Sequence, residues 1–127
     1  MTPNKATDRR EEGQRRYQTG KHLEAFLLLL LQQKPDHGGA LLTRLQEFLP
    51  EQWTIDSGRV YRLLRELEGE GALTSEWVTE DSGAPIRVYY MTPRGRLKLA
   101  DWKDDIQLRR DSMNRFLTLW EELVGEG

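Results

Sequence analysis

The sequence predicts a mainly α-helical fold with one small β-hairpin and a long C-terminal helix. Three observations predict it. Apolar residues recur with the helical period of 3.6 as far as Gly71, and the period then changes to 2 over the next twenty residues. After Thr92 the helical repeat returns and can run to about Val124. We therefore expect a group of helices, then two strands, then one long helix.

Composition excludes several classes of protein. The 127 residues suffice for one domain, and the absence of cysteine excludes disulfides, thiolate metal sites and cysteine nucleophiles. The longest apolar run, residues 25–31, is too short to span a bilayer, and no secretion signal is recognisable, so we expect a cytoplasmic protein without a membrane partner. No residue set suggests catalysis, a metal site or a cofactor, so we expect none of these.

The net charge of −2 argues against a generally basic surface. Basic residues outnumber acidic ones only at the N-terminus, where residues 1–20 are predicted to form a flexible basic arm. The arm could follow nucleic-acid phosphates, or it could be a solvated tail. Any positive surface elsewhere must come from the placement of individual arginines.

Two helices are predicted before the middle of the chain. Residues 21–33 are apolar almost all round, which predicts a helix buried on more than one side. Residues 34–39, with Pro35 and two glycines, are predicted to be a break. A second helix over residues 40–48 ends before Pro50, and Trp53 is expected to fill the gap before the next helix.

The third helix, within residues 56–71 and ended by Gly69 and Gly71, carries the pattern of most interest. Asp56 is a predicted N-cap, and apolar residues at i, i+3, i+4 and i+7 from Val60 form its buried face. The outward face suits phosphates and base edges, or alternatively is a solvated face paired to Glu66 or Glu68. Three helices with a short turn before the third form a helix-turn-helix. The outward face carries Gly58, Arg59, Tyr61, Arg62 and Arg65.

A hairpin is predicted next, and its position beside the third helix corresponds to a wing. Residues 73–80 and 86–91 alternate with period 2 around the loop 81–85. A hairpin this small is marginally stable alone, so we expect it to pack against the helices through Leu73, Trp77 or Tyr90.

The last predicted element is a helix from Pro93, capped by Thr92, to about Val124. Apolar residues occupy successive a and d positions of a heptad repeat along this helix, with Arg109 as the single exception. Such an apolar seam predicts a partner helix, and homodimerisation is the simplest source of one. Asp111 or Ser112 could instead cap a separate last helix. The prediction is thus a winged helix-turn-helix over residues 21–92 with a C-terminal dimerisation helix over 93–127. The predicted dimerisation residues are Leu99, Trp102, Ile106, Met113, Phe116, Trp120 and Leu123.

Two segments carry a resemblance to a known family. Residues 58–71 (GRVYRLLRELEGEG) and 85–95 (PIRVYYMTPRG) resemble the signature of PadR-like transcriptional regulators. That signature has a Gly-x-apolar-Tyr helix start, a Leu-Glu-x-x-Gly helix end and an Arg-x-Tyr-Tyr-x-Thr-x-x-Gly junction. The resemblance covers about residues 22–124. The chain departs from it at Gly39, where members commonly have tyrosine, and at Val88, where they often have a basic residue.

The resemblance implies a dimeric, sequence-specific protein that binds a pseudo-palindromic DNA operator and usually represses a nearby promoter. It also implies a small aromatic or apolar effector at the dimer interface, for which Trp102 is the candidate platform. The rival hypothesis is a winged helix that contacts another protein. Arg87 could contact DNA or pair across the hairpin with Glu76 or Glu80. The expected DNA contacts are Ser57, Gly58, Arg59, Tyr61, Arg62, Arg65, Ser82, Gly83 and Arg87.

Overall fold

The computed structural model describes residues 17–18, 20–79 and 83–125, which form four α-helices, one 3-10 turn and two small sheets. Most of the predicted arm, residues 1–16 and 19, lies outside the described residues. In chain order the elements are β1 (Tyr17–Gln18), a 3-10 helix (Gly20–His22), α1 (Leu23–Gln33), β2 (Asp36–His37), α2 (Gly38–Phe48), β3 (Trp53–Thr54), α3 (Ser57–Gly69), β4 (Leu73–Thr79), β5 (Pro85–Met91) and α4 (Pro93–Val124).

Helix α1 lies at the centre of the domain, as its apolar sequence predicts. It contacts α2, β5 and α4, so its side chains are covered in several directions. Leu29 is its exposed apolar residue. The fully buried side chains of the core are Leu23, Leu27, Leu28, Leu41, Leu45, Leu64, Leu67 and Val60.

The junction between α1 and α2 is held by Arg44. Its Nη2 donates to the carbonyl oxygen of Leu30 at 2.7 Å, and its Nη1 lies 3.1 Å from Oδ2 of Asp36. The Leu30 carbonyl also accepts from the backbone N–H of Lys34 at 3.1 Å, so Arg44 adds a second donor to the last turn of α1. Helix α2 begins at Gly38, two residues earlier than predicted.

Helix α3 begins and ends where the sequence predicts. The Asp56 carboxylate accepts a hydrogen bond from the backbone N–H of Arg59 at 3.3 Å, which satisfies one of the free donors of the first turn. The four predicted apolar residues are all buried. Gly71 has φ of +87°, a conformation that glycine adopts without strain, and it directs the chain into β4.

The larger sheet has three strands in the order β2-β5-β4, so the predicted hairpin is correct but incomplete, and β1 and β3 form a separate parallel pair. The short strand β2 lies in the stretch that the sequence predicts to be a break, and it pairs antiparallel with Tyr89 and Val88. Tyr89, rather than Tyr90, is the buried tyrosine, because the register places it opposite Ser75 on the face that contains buried Leu73.

Trp77 is the clear correction in the wing. Period 2 made it one of three candidate packing residues, but Trp77 is 67% exposed. It shares the face of Leu73 and lies four residues further toward the wing tip, where the helices no longer cover the sheet.

Helix α4 is one continuous helix of 32 residues, about 48 Å long at 1.5 Å per residue. Thr92 caps it by accepting from the N–H of Gly95 at 3.1 Å. It passes through Asp111 and Ser112 without a break, so the alternative of a separate last helix is wrong. In the described part of the chain no helix has the length and apolar character needed to cross a membrane.

Candidate nucleic-acid interface

The first half of α3 presents the residues expected to contact DNA. Ser57 and Gly58 are exposed at its start, and the aromatic ring of Tyr61 is 42% exposed. Arg59 differs from the expectation because it is only partly exposed, and its Nε atom is buried without a hydrogen-bond partner among the described residues. The outward surface therefore consists mainly of Tyr61 and the arginines that follow it.

Tyr61 is positioned by contact with the first residue of α2. Its ring lies so close to Gly38 that a Cβ atom there would be 2.8 Å from the Cδ1 atom and nearer still to Cε1. Only glycine allows this approach. The contact brings the N-terminal ends of α2 and α3 together, and free backbone N–H groups at helix N-terminal ends favour anions.

Arg62 and Arg65 are exposed and form no ion pair with any described residue. The alternative that they pair with Glu66 or Glu68 is therefore not what the described residues show. A guanidinium nitrogen of Arg62 lies 3.5 Å from the position that a Cβ atom would occupy at Gly58, so its side chain folds back over the first turn of α3. Both cations are available to an anionic partner.

Arg87 is engaged within the protein. Its Nη2 lies 2.9 Å from Oε1 of Glu68, and its Nε donates to Oγ of Ser75 at 3.0 Å. The guanidinium carbon is 5.6 Å from the ring centroids of both Trp77 and Tyr89. These contacts tie the wing to α3.

The described residues do not show the cross-strand pair of Arg87 with Glu76. Its ion-pair partner is Glu68 on α3, whereas Glu76 faces Val88 in the hairpin register. Glu80 lies outside the described residues. Burial raises the pKa of the Tyr89 hydroxyl, and the Arg87 charge opposes that rise.

Two carboxylates at the C-terminal end of α3, Glu68 and the C-cap residue Glu70, are paired with cations of other elements, whereas Glu66 is exposed and has no ion pair with a described residue. Glu68 holds Arg87, and Oε1 of Glu70 lies 2.9 Å from Nζ of Lys98 on α4. The hydrogen bond to Glu70 raises the pKa of the Lys98 amine above its usual value. These two carboxylates are directed toward the wing and α4 rather than toward the arginines at the start of α3.

The tip of the wing is described only in part. Ser82 lies outside the described residues. Gly83 is exposed with φ of +130°, which suits the turn between β4 and β5.

An open groove of about 460 Å³ separates the start of α2 and the exposed face of α3 from the wing. The sequence pattern does not predict this groove, because its walls come from segments far apart in the chain. Trp77 lines this groove, whereas the sequence pattern predicted a packing residue there. Its place near the wing tip, on the same face as Leu73, was the available signal in the sequence. The lining residues are His37, Gly38, Gly39, Tyr61, Arg65, Trp77, Ile86, Arg87 and Tyr89.

The predicted dimerisation seam divides into two parts. Leu99 and Trp102 pack against the core of their own chain, and the Trp102 indole N–H donates to Oε2 of Glu24 at 2.7 Å. His22 stands against the Trp102 ring, with 5.6 Å between centroids, so part of the proposed effector platform is already covered. The seam residues that remain exposed are Ile106, Met113, Phe116, Trp120 and Leu123.

Comparisons with known proteins agree with this geometry. The profile described as "Transcriptional regulator PadR-like family" matches residues 27–101. Among solved structures, the chain is similar to a conserved protein of unknown function described as a potential transcriptional factor, with 31% identity over 84% of this chain and 94% of that one and a TM-score of 0.74. No curated protein sequence gives a significant match.

Two further structures extend the comparison. A putative transcriptional regulator from Thermoplasma acidophilum is 27% identical over 75% of this chain and 89% of its own, with a TM-score of 0.62. Bacillus subtilis PadR, solved in complex with operator DNA, is 24% identical over 65% of this chain and 47% of its own, with a TM-score of 0.59, and so shares the fold.

The profile covers more than half of the chain, from within α1 to the first turns of α4. It therefore includes the helix-turn-helix, the wing and the start of the long helix. The family consists of transcriptional regulators rather than enzymes. The chain belongs to the PadR-like family of transcriptional regulators.

Proposed function

We propose that the protein is a homodimeric, sequence-specific DNA-binding regulator that represses a nearby promoter. One observation carries the proposal. Tyr61, Arg62 and Arg65 are exposed together on α3 beside the wing, while Glu68 at the end of that helix and its C-cap residue Glu70 are paired with cations of other elements. The arginines therefore lie toward the start of α3, and two of the three carboxylates that follow them are paired with cations.

This arrangement supports DNA binding despite the net charge of −2. Exposed ion pairs add little stability, about 0–1 kcal/mol each, so the value of the Glu68 and Glu70 pairs lies in their direction. A carboxylate already bound to a cation repels a phosphate less than a free one does. Arginine in the major groove can donate two hydrogen bonds to guanine, and Tyr61 can donate one to a phosphate.

The apolar surface of α4 supports the homodimer. Met113, Phe116 and Trp120 are 60%, 64% and 45% exposed and lie on one helical face. Large apolar surfaces of this kind usually mark an interface in a soluble protein. Pairing two α4 helices would cover this face and hold two copies of α3 at a set distance. Two recognition helices then enter successive major grooves about 34 Å apart.

Release of DNA by a small aromatic or apolar effector at Trp102 is the last part of the proposal. Trp102 lies where the exposed seam of α4 meets α1, and its ring contacts His22. An effector that inserts there would act by favouring a different distance between the two recognition helices.

The test is binding to duplexes from the region upstream of the protein's own gene, measured by fluorescence anisotropy across a salt series. We expect affinity to fall steeply with salt. Arg62→Ala should cost about 1–3 kcal/mol if Arg62 contacts a base. Arg115→Ala is the matched control, because Arg115 is exposed on the side of α4 away from the apolar face.

Two outcomes would contradict the proposal at different levels. Absence of salt-dependent affinity for any of these duplexes would remove the DNA-binding function and favour the rival, a winged helix that contacts a protein. Equal affinity of Arg62→Ala and Arg115→Ala would leave DNA binding intact but show that Arg62 is only solvated. A reporter gene fused to the promoter then tests repression in cells, because deletion of the gene that encodes this protein should raise expression of the reporter.

A further inference from the structure

We propose that Trp77 is a DNA-contacting residue of the wing. In this proposal its indole ring packs against the sugar-phosphate strand that crosses the groove between α3 and the wing, and its ring N–H donates to a phosphate oxygen. The inference rests on the proposed function, because it names a contact of the same DNA-binding surface. It also replaces Arg87 as the main wing contact.

The exposure of Trp77 is the first observation. A tryptophan ring is normally buried for most of its surface, yet this one is 67% exposed. It lies on the sheet face that carries Leu73 and Tyr89, so it points to the same side as α3 rather than to the outer side of the wing. The ring therefore forms a wall of the groove.

The second observation is that the ring is held in place. The Arg87 guanidinium stands 5.6 Å from its centroid and is itself anchored to Glu68 and Ser75. Because those anchors are on α3 and β4, the Trp77 ring has a defined position relative to the recognition helix. A contact group that is already ordered loses little conformational entropy when it binds. Arg87 acts as a positioning residue in this arrangement.

The positive charge of the groove walls favours an anionic ligand. The walls carry Arg65, which has no ion pair with a described residue, and Arg87, which is already paired with Glu68, together with the polar rings of His37 and Tyr61. No acidic side chain is among the lining residues of the groove in the described part of the chain. A phosphodiester strand offers the complementary negative charge and a flat, apolar deoxyribose to the aromatic rings.

Duplex geometry points to the same occupant. The major and minor grooves of DNA are separated by one sugar-phosphate strand. If α3 lies in the major groove and the wing tip reaches the neighbouring minor groove, that strand must cross the space between α3 and the wing. The groove lined by Trp77 is this space.

The experiment compares the full-length wild type with Trp77→Ala and Trp77→Phe on a duplex that the wild type binds. Thr74→Ala is the control, because Thr74 is exposed on the opposite face of β4. We expect Trp77→Ala to bind about threefold to tenfold more weakly, Trp77→Phe to be intermediate, and Thr74→Ala to be unchanged. Because Trp77 is uncharged, the slope of log affinity against log salt should stay the same.

A second measurement reports contact directly. The difference in fluorescence between the wild type and Trp77→Phe isolates the emission of Trp77, and acrylamide should quench it strongly in the free protein. Saturating duplex should protect that emission. Trp77→Ala should keep the thermal unfolding midpoint within a few degrees of the wild type, because the ring is exposed.

The outcomes separate the two proposals. A wild type without salt-dependent duplex binding overturns both. A wild type that binds, with equal affinity in Trp77→Ala, overturns the role of Trp77 and leaves the proposed function standing. Weaker binding without protection from acrylamide also overturns the contact, because it would show an indirect effect on the wing.

Discussion

Gly38→Ala tests the contact that places Tyr61 on the DNA-binding surface. The added Cβ would lie 2.8 Å from Cδ1 and 3.1 Å from Cζ of the Tyr61 ring, and nearer still to Cε1. Carbon atoms in contact prefer about 3.5–4.0 Å, so the ring must move by about 1 Å or more. It can move outward, because 42% of its surface is already exposed.

The expected cost differs between stability and DNA binding. Overpacking typically lowers the free energy of unfolding by about 1–3 kcal/mol. We expect Gly38→Ala to lie near the lower end of this range, because the Tyr61 ring can rotate into solvent. If the displaced hydroxyl contacts a phosphate, losing that hydrogen bond costs about 0.5–1.5 kcal/mol of binding, or up to about tenfold in affinity. We therefore expect a folded variant with weakened DNA binding.

A double-mutant cycle with Tyr61→Ala makes the test decisive. Urea unfolding measures stability, and fluorescence anisotropy with a duplex from the upstream region measures affinity. Removing the ring relieves the clash, so Gly38→Ala should change neither quantity by more than about 0.5 kcal/mol in the Tyr61→Ala background. If the effects of the two substitutions on affinity simply add, Gly38 does not act through Tyr61 and the reasoning is refuted.

Three other features yield predictions. Gly95→Ala should lower the free energy of unfolding by about 1–3 kcal/mol, because the added Cβ would lie 3.2 Å from the Ala72 carbonyl carbon and closer still to the carbonyl oxygen. Gly69→Ala should raise the free energy of unfolding by about 0.5 kcal/mol, because no atom lies within 4 Å of its added Cβ. Urea unfolding of both variants tests this pair of predictions. The pKa of the Lys98 amine is raised in the folded protein, so its ion pairs stabilise the fold below about pH 10.5 and lose this effect as pH rises through the folded-state pKa. The free energy of unfolding of the wild type should therefore fall more steeply above that pH than that of Lys98→Met. An equal fall in the two proteins would contradict the prediction. Phe116→Glu should halve the mass of the particle in sedimentation equilibrium, and an unchanged mass would show that this face of α4 is not the dimer contact.

The helical part of the fold could be predicted because its signals are local. Asp56, the apolar spacing from Val60 and the glycine at 71 lie within one stretch of chain, and the structure confirms each. The same holds for α4, where Thr92 and Pro93 mark the start. Local hydrogen bonds and side-chain spacing decide these elements, so a single segment contains the necessary information.

The site was harder to predict because its contacts join distant segments. Asp36 and His37 form β2 only because β5 lies beside them, more than fifty residues later. The Arg87 partner Glu68 is 19 residues away on another element. For Trp77, period 2 shows which residues share its face but not how far along β4 the helices extend. These features depend on packing geometry, which local patterns do not contain.

The central claim is that two copies of α3 read DNA together. Hydroxyl-radical footprinting of the wild-type protein on the duplex from its own upstream region tests it most directly. The account predicts two protected half-sites whose centres are about one helical turn, 10 to 10.5 base pairs, apart, with both footprints weakened together by Arg62→Ala. A single protected half-site, or uniform protection along the duplex, would contradict it.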